Sequence, residues 1–295
     1  MSLRRIEMLL RDARYSSNVQ DVDTITDEVM IHYSNRVQSM IEDLIFKINS
    51  TNNIFMATQE ITMVAGTTLY PLNYDIYGVS AIKSVGIKRT TSAGYIVDPL
   101  RYLSEKFSGS SFGYSIQEGN INLNFISASG YPIVVNYVRK IPTLGKRFGK
   151  VSAIGSGTAT VPATASTELL DTYDDFFTAV DVDGIVVARN CRITSYVYST
   201  GVITYTGGTG TVAVGNYIIP GKYSTSHSQL PQECEKVFLE VLERRIAQRQ
   251  SATDMNVISP LTDREIKSVE DVFAKGSDDD AIPPTPMYSE FSEYM

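Results

Sequence analysis

The chain has two histidines, two cysteines and no tryptophan in 295 residues, and it shows neither a basic excess nor a long apolar run. Each shortage closes off a class of function. Histidine is the commonest general base and metal ligand near neutral pH, so imidazole chemistry could draw only on His32 and His227. Cys191 and Cys234 are too few for a disulfide scaffold or a cysteine zinc site, and they fit an intracellular, reduced setting. No window reaches the ~18 apolar residues of a membrane span, and MSLRRIEMLLRDARY places charges on both sides of a very short apolar run, unlike a targeting signal. The expectation is no membrane association. A formal charge of -7 argues against a general nucleic-acid coat, because phosphate binding is driven by lysine and arginine displacing counterions.

What is present is ordinary globular usage, 43% hydrophobic and 20% charged, with room for about two domains. The charge is unevenly spread. Arg4, Arg5, Arg11 and Arg14 stand near the start against Glu7 and Asp12, whereas Gly276 to Met295 holds Asp278, Asp279, Asp280, Glu290 and Glu293 with no base. The arginines read either as a solvated face or as a docking surface for an acidic partner. Eighteen tyrosines tilt the composition toward interfaces, where the ring supplies area and the hydroxyl stays hydrogen-bonded.

Leu3, Ile6, Leu10 and Ala13 recur at helical spacing, predicting a first amphipathic helix. Thr26 with Asp27 and Glu28 starts a second, whose stripe runs Met30, Tyr33, Val37, Met40, Ile41, Leu44 and Ile48. Helix returns at LPQECEKVFLEVLERRIAQRQ, with Pro231 at its first position, Arg244, Arg245 and Arg249 toward its end, and Cys234, Val237, Phe238, Val241, Leu242 and Ile246 as its stripe. Thr262 and Glu265 form a capping box for a last helix with a stripe of Ile266, Val269, Val272 and Phe273, which Gly276 should stop.

Between the helical ends the chain is β-like. YSIQEGNINLNF reads as two short strands folded about Gly119-Asn120, with Ile121, Leu123 and Phe125 on one face; IVVNYV follows as a strand that Pro142 ends. From Lys150 to Gly221 glycine, threonine and valine alternate with hardly any helix-forming run, the look of a small β-sandwich or barrel inserted into a helical domain. The tail is acidic and holds three prolines, so it should be extended on its own. Its Met287, Tyr288, Phe291, Tyr294 and Met295 are anchors of the kind that order on a partner.

No constellation of catalytic residues stands out. His32 lies within the strong second helix, a structural or surface position; His227 precedes a helix and could cap it or touch a partner. GSGTAT and TGGTGT lack the Lys-Ser or Lys-Thr pair and the following helix of a phosphate loop, so they read as turns. YDD at Tyr173 to Asp175 and DDD at Asp278 to Asp280 lack the spacing of a calcium loop. No catalytic, cofactor or metal site is therefore predicted. The rival reading is a tail-associated glycan hydrolase drawing a carboxylate pair from Asp171, Asp174, Asp175, Asp181 and Asp183.

The order of these elements resembles the head-to-tail adaptor proteins of short-tailed bacteriophages. A helix is followed by EVMIHYSNRVQSMIEDLI, GTTLYPLNYDIYGVSAI, YSIQEGNINLNF, IVVNYVRKIPTL and LPQECEKVFLEVLERRIAQR; the likeness covers about residues 1–145 and 226–275. It implies an α+β protein: a helical bundle carrying a small antiparallel β element over 1–149 and 222–276. A β domain inserted at 150–221 departs from that family, and an extended arm occupies 277–295. It also implies a non-enzymatic virion protein at the head-tail junction, made in the host bacterial cytoplasm. Copies would form a ring, usually twelvefold, beneath the portal protein and next to tail or collar proteins. Double-stranded DNA would pass through without tight binding. The interaction candidates are then Arg4, Arg5, Arg11, Arg14, Asp278, Asp279, Asp280, Met287, Tyr288, Phe291 and Tyr294. Another collar or tail structural protein is the neighbouring alternative.

Overall fold

Helical periodicity is the first feature of the sequence to become structure. A computed structural model describes residues 4–17, 25–48, 55–73, 75–91, 94–103, 112–125, 130–162, 175–250 and 261–279, with the backbone alone at 79, 250 and 274–279. Among them the fold is mixed α+β, with four helices and several antiparallel sheets. The chain divides into two compact units. One holds the described residues of Glu7–Ser50 and Leu230–Met295, the other those of Leu3–Ile6 and Thr51–Gln229.

In the helical unit, α1 (Ile6–Ser16) buries Leu9, Leu10 and Ala13. α2 (Asp27–Ile48) starts on Thr26, whose Oγ1 accepts from the Val29 amide at 3.5 Å. Its buried face is Met30, Ile31, Ser34, Val37, Gln38, Ile41, Glu42 and Ile45. Tyr33, Met40, Leu44 and Ile48, expected on that face, are half-buried. The rotation has a cause: α2 packs against both α3 (Gln232–Gln250) and α4 (Asp263–Asp279). Two neighbours cover a wider face than the apolar stripe alone. Ser34 tolerates burial because its hydroxyl donates to the Met30 carbonyl at 2.8 Å. In α3 the whole expected stripe is buried.

The α4 cap forms as the spacing predicts: the Thr262 amide donates to Glu265 Oε2 at 2.7 Å and the Glu265 amide to Thr262 Oγ1 at 3.4 Å. Arg244 of α3 adds an ion pair to Glu265 at 3.0 Å. Gly276 does not stop this helix, which runs on to Asp279. A glycine inside a helix costs only about 1 kcal/mol relative to alanine, and that is no barrier by itself. The arm expected from 277 therefore begins helical, and residues 280–295 lie outside the described residues.

The other unit opens with β1 (Met56–Thr62), β2 (Leu69–Pro71), β3 (Ile82–Thr91), β4 (Gly94–Pro99), β5 (Arg101–Tyr102), β6 (Gly113–Gln117), β7 (Asn120–Leu123) and β8 (Pro132–Val138). These make two four-stranded sheets, ordered β1-β8-β3-β4 and β2-β7-β6-β5. Val85, Ile133, Val135 and Tyr137 of the first share one core with Tyr70, Tyr114, Ile121 and Leu123 of the second. The small element expected from the sequence is thus a two-layer sandwich with its own core. The hairpin and IVVNYV belong to different layers. The turn also differs from expectation. Gln117 pairs with Asn120, so the two loop residues are Glu118 and Gly119, with φ of 47° and 76°. Two consecutive positive φ values give the primed turn whose twist matches the strands, and Asn120 is drawn into β7.

Then follow β9 (Thr143–Leu144), β10 (Gly149–Lys150), β11 (Ala153–Gly155), β12 (Thr158–Thr160), β13 (Phe176–Val180), β14 (Val186–Val197), β15 (Val202–Thr206), β16 (Thr209–Gly210), β17 (Tyr217–Pro220) and β18 (Ser224–Thr225). Eight of them form one sheet ordered β10-β17-β13-β14-β15-β12-β11, with β16 beside β14. The ends of that sheet meet in a single stretch of chain. Val151 donates to Asn216 and accepts from Gly215 on the β17 side, while Ser152 donates to Thr160 on the β12 side. β10 and β11 are therefore two halves of one strand that closes the sheet around Val151, Ala159, Phe177, Ala188, Ile203 and Ile218.

Because Glu265 is both cap and counter-ion, Glu265→Ala should lower the stability of the helical unit by about 1–2 kcal/mol, read from urea unfolding. Glu265→Gln, which keeps the cap acceptor, should recover part of the loss; an unchanged midpoint for Glu265→Ala would contradict the assignment.

Candidate functional site

A carboxylate shut away from water needs strong partners, and Asp75 is only 1% exposed. It accepts from Arg189 Nη1 at 2.7 Å and from the Tyr137 hydroxyl at 3.0 and 3.2 Å. The Asn73 side-chain amide donates to the same hydroxyl at 3.1 Å. Gln59 steadies Asn73, accepting from its backbone amide at 2.9 Å and donating to the Pro71 carbonyl at 3.1 Å. Beyond Arg189 stands Tyr223, 5.7 Å from the guanidinium to the ring, with Arg139 Nη1 at 3.5 Å from its hydroxyl. Burial raises the pKa of both Tyr137 and Tyr223, with the Asp75 charge reinforcing it and the neighbouring arginines opposing. Both phenols remain hydrogen-bonding groups near neutral pH. Asp75 thus joins β8 of the sandwich to β14 of the closed sheet.

Arg189 also lines a cleft of about 620 Å³ within this unit, shared by the hairpin turn at Gly119, by Asn73, Ile76 and Gly78, by Lys140 and by the Gly208-Thr209 loop.

A second polar centre lies in Ser224–Gln229, where every residue is buried. Burial of so polar a run is possible because most of its groups are bonded, although the Gln229 side-chain nitrogen has no hydrogen-bond partner among the described residues. Ser224 donates its amide to Thr178 Oγ1, Thr225 Oγ1 donates to the Gly184 carbonyl, and the Thr225 and Ser226 carbonyls accept from Gly145 and Ile6. His227 Nδ1 lies 3.0 Å from Ser226 Oγ, which Arg147 Nε also reaches at 3.0 Å. Burial, together with Arg147 and Arg5 and against Asp183 and Asp181, pushes the His227 pKa down to about 4. It is a neutral interior side chain, neither a helix cap nor an exposed partner contact.

Of the predicted interaction residues, the four arginines fall within the described residues. Arg4 and Arg5 precede α1; Arg4 is half-buried and its carbonyl accepts from the Ser228 amide, while Arg5 is exposed. Arg11 is exposed on α1 beside Asp12, at 3.7 Å. Arg14 is buried, donating to the Ile25 carbonyl at 2.6 Å and to Asp27 at 2.7 Å. It ties α1 to the start of α2 and is not a solvated docking charge. Asp278 and Asp279 close α4, with their side chains undescribed; Asp280, Met287, Tyr288, Phe291 and Tyr294 lie outside the described residues. His32 is exposed on α2.

Of the aspartates in the hydrolase reading, Asp171 and Asp174 are also outside the described residues, and Asp175 and Asp183 are exposed. Asp181 Oδ1 accepts from the amides of Asp183 and Ile185, a turn-forming role. Both cysteines are buried, their thiols pushed up to about 11 for Cys191 and about 12 for Cys234 by burial, Glu233 adding to the second. Neither is a ready nucleophile. No cluster of three or more metal-ligating side chains occurs among the described residues.

Sequence reading missed Asp75, Tyr137, Arg189 and Tyr223. The one available signal was an aspartate amid apolar residues in LNYDIYGV, and its partner is 114 positions away.

Removing one member of a buried pair strands the other. Asp75→Ala should therefore cost about 3–5 kcal/mol in denaturant unfolding, and an Asp75→Asn/Arg189→Met double variant should recover much of it. A loss below about 1 kcal/mol would show the pair to be unimportant. For His227 the folded pKa of about 4 lies below the ordinary 6.5. The unfolded chain thus takes up the proton first as pH falls, and stability present above about pH 6.5 drains away toward pH 4, by up to about 3 kcal/mol. Unfolding at pH 7.5 and 4.5 should show that loss shrink in His227→Gln. No protein-family model matches the chain, and no curated protein proves similar to it.

Proposed function

We propose that the chain is a ring-forming connector of a short-tailed phage particle, bound beneath the portal and extending the DNA channel toward the tail. The observation that carries this reading is the order of the elements. Residues near both ends contribute α1 to α4 to one helical unit, and all the strands among the described residues lie between α2 and α3. That is the arrangement the resemblance implies. In this reading the closed sheet spanning 149–220 is the added part, facing other tail or collar components. The helical unit, with the acidic tail beyond Asp279, supplies the grip on the portal or on neighbouring copies.

The charge balance agrees with such a role. A channel that lets DNA slide should hold few phosphates, and a chain at -7 makes a general phosphate-binding surface unfavourable.

Mixed with the portal protein encoded near it, the purified chain should assemble into a ring of the portal's symmetry in negative-stain images and by particle mass. Persistent monomers would overturn the connector reading. The chain should not retard duplex DNA at near-physiological salt. Deleting 280–295, which leaves α4 whole, should weaken assembly while leaving the unfolding midpoint of the monomer unchanged.

A further inference from the structure

We infer that the outer edge of β4 pairs with the β4 of a second copy of this chain, antiparallel and centred on Ile96. β4 is an outer strand of the sandwich, and its Tyr95, Ile96 and Val97 are 66%, 55% and 37% exposed. No other stretch of the described residues exposes three large apolar side chains in a row. Successive side chains of a strand point to opposite faces, so β4 is uncovered on both. The other outer strands are protected in ordinary ways: β1 carries Glu60, ion-paired with Lys88 at 2.6 Å, β2 is three residues long and ends on Pro71, and β5 is two residues long. β4 has only Pro99 at its end and one charge, Asp98, which Arg89 of the same chain holds at 2.6 Å.

The ladder decides which backbone groups of β4 are free. The Leu100 amide donates to the Val85 carbonyl at 2.8 Å, which marks that pair as hydrogen-bonded. Bonded and non-bonded pairs alternate along an antiparallel ladder. Asp98 with Ile87 and Ile96 with Arg89 therefore bond across to β3, while Tyr95 and Val97 turn their amides and carbonyls outward. A second β4 laid antiparallel about Ile96 sets Tyr95 of each copy against Val97 of the other, and each such pair exchanges two hydrogen bonds. Any other centre sets one of them opposite a residue beyond the strand or opposite Pro99, which has no amide. The side chains match in the same register: Tyr95 faces Val97, an aromatic with a β-branched residue, Ile96 faces Ile96, and Asp98 faces Gly94, so no like charges oppose. Six residues are few beside the about 20–30 a side of a stable interface, and the dimer is accordingly weak. An isologous contact joins two copies and no more; it is separate from the ring contacts of the connector reading and does not rest on them.

The test is sedimentation velocity on the full chain alone, from about 5 μM to 1 mM, across which it should pass from monomer to dimer. Val97→Pro removes an outward amide that β3 does not use and should weaken the dimer about tenfold or more. Ile96→Lys and Ile96→Glu each bring like charges face to face at the centre and should be monomeric, whereas the two mixed should dimerise at least as tightly as the natural chain. That rescue requires residue 96 of one copy to meet residue 96 of the other, and it decides the matter even if Val97→Pro misfolds. A natural chain still monomeric at about 1 mM, a dimer unaffected by the charge variants, or a mixture that stays monomeric overturns the pairing; the first result assigns the edge to a strand of another protein. The connector reading is scored with the portal protein present, so either can fail alone.

Discussion

The β unit depends on the pairing of one buried carboxylate with one cation. Asp75 sits at a turn of the sandwich and Arg189 on a bulged strand of the closed sheet, and the fully buried carboxylate takes its counter-charge from that arginine. Breaking such a pair costs more than forming it contributes, because the survivor is left charged in a poor solvent. Tyr137 adds direction: its hydroxyl bonds both carboxylate oxygens, while its ring belongs to the sandwich core. Register in β8 is thereby fixed by polar geometry as well as by apolar burial.

The polar run Ser224–Gln229 follows the same logic without ions. Six buried residues with hydroxyl, imidazole and amide groups are a poor core by composition, yet their bonds reach the Gly145 backbone, Thr178, Gly184 and the Arg4–Ile6 segment. Gly184 shows how close the fit is: at φ 80° it leaves no room for a Cβ, which would run into the His227 ring. A hydrogen-bonded filler of this kind specifies one arrangement, where an apolar filler of similar volume could slide.

Local rules made the helices legible. The α3 stripe, the Thr262-Glu265 box and the Thr26 cap all rest on interactions within three or four residues, and each appears where spacing places it. The α2 face was read one position off because its width depends on two partners that spacing cannot name. Strand regions were legible, but their pairing was not. IVVNYV lies next to the hairpin in sequence, yet it pairs with β1 and β3. The arginines near the start were visible as a set, whereas the burial of Arg14 depends on Ile25 and Asp27, 11 and 13 positions away. The cleft was invisible for a similar reason, since Asn73, Lys140 and Arg189 meet only once both sheets have formed.

The two β layers differ in how they end. The sandwich keeps β1, β2, β4 and β5 as outer strands, and on β4 Tyr95, Ile96 and Val97 are exposed. The larger sheet closes through the strand shared between β10 and β11, so its terminal strands are satisfied within the chain. A sheet whose path closes, with only the two-residue β16 beside it, offers little template for another chain to zip onto. High local concentration therefore threatens the two parts unequally: the closed sheet leaves little edge to crowd against, while the sandwich keeps outer strands, one of them carrying exposed apolar side chains, on which a second chain can pair.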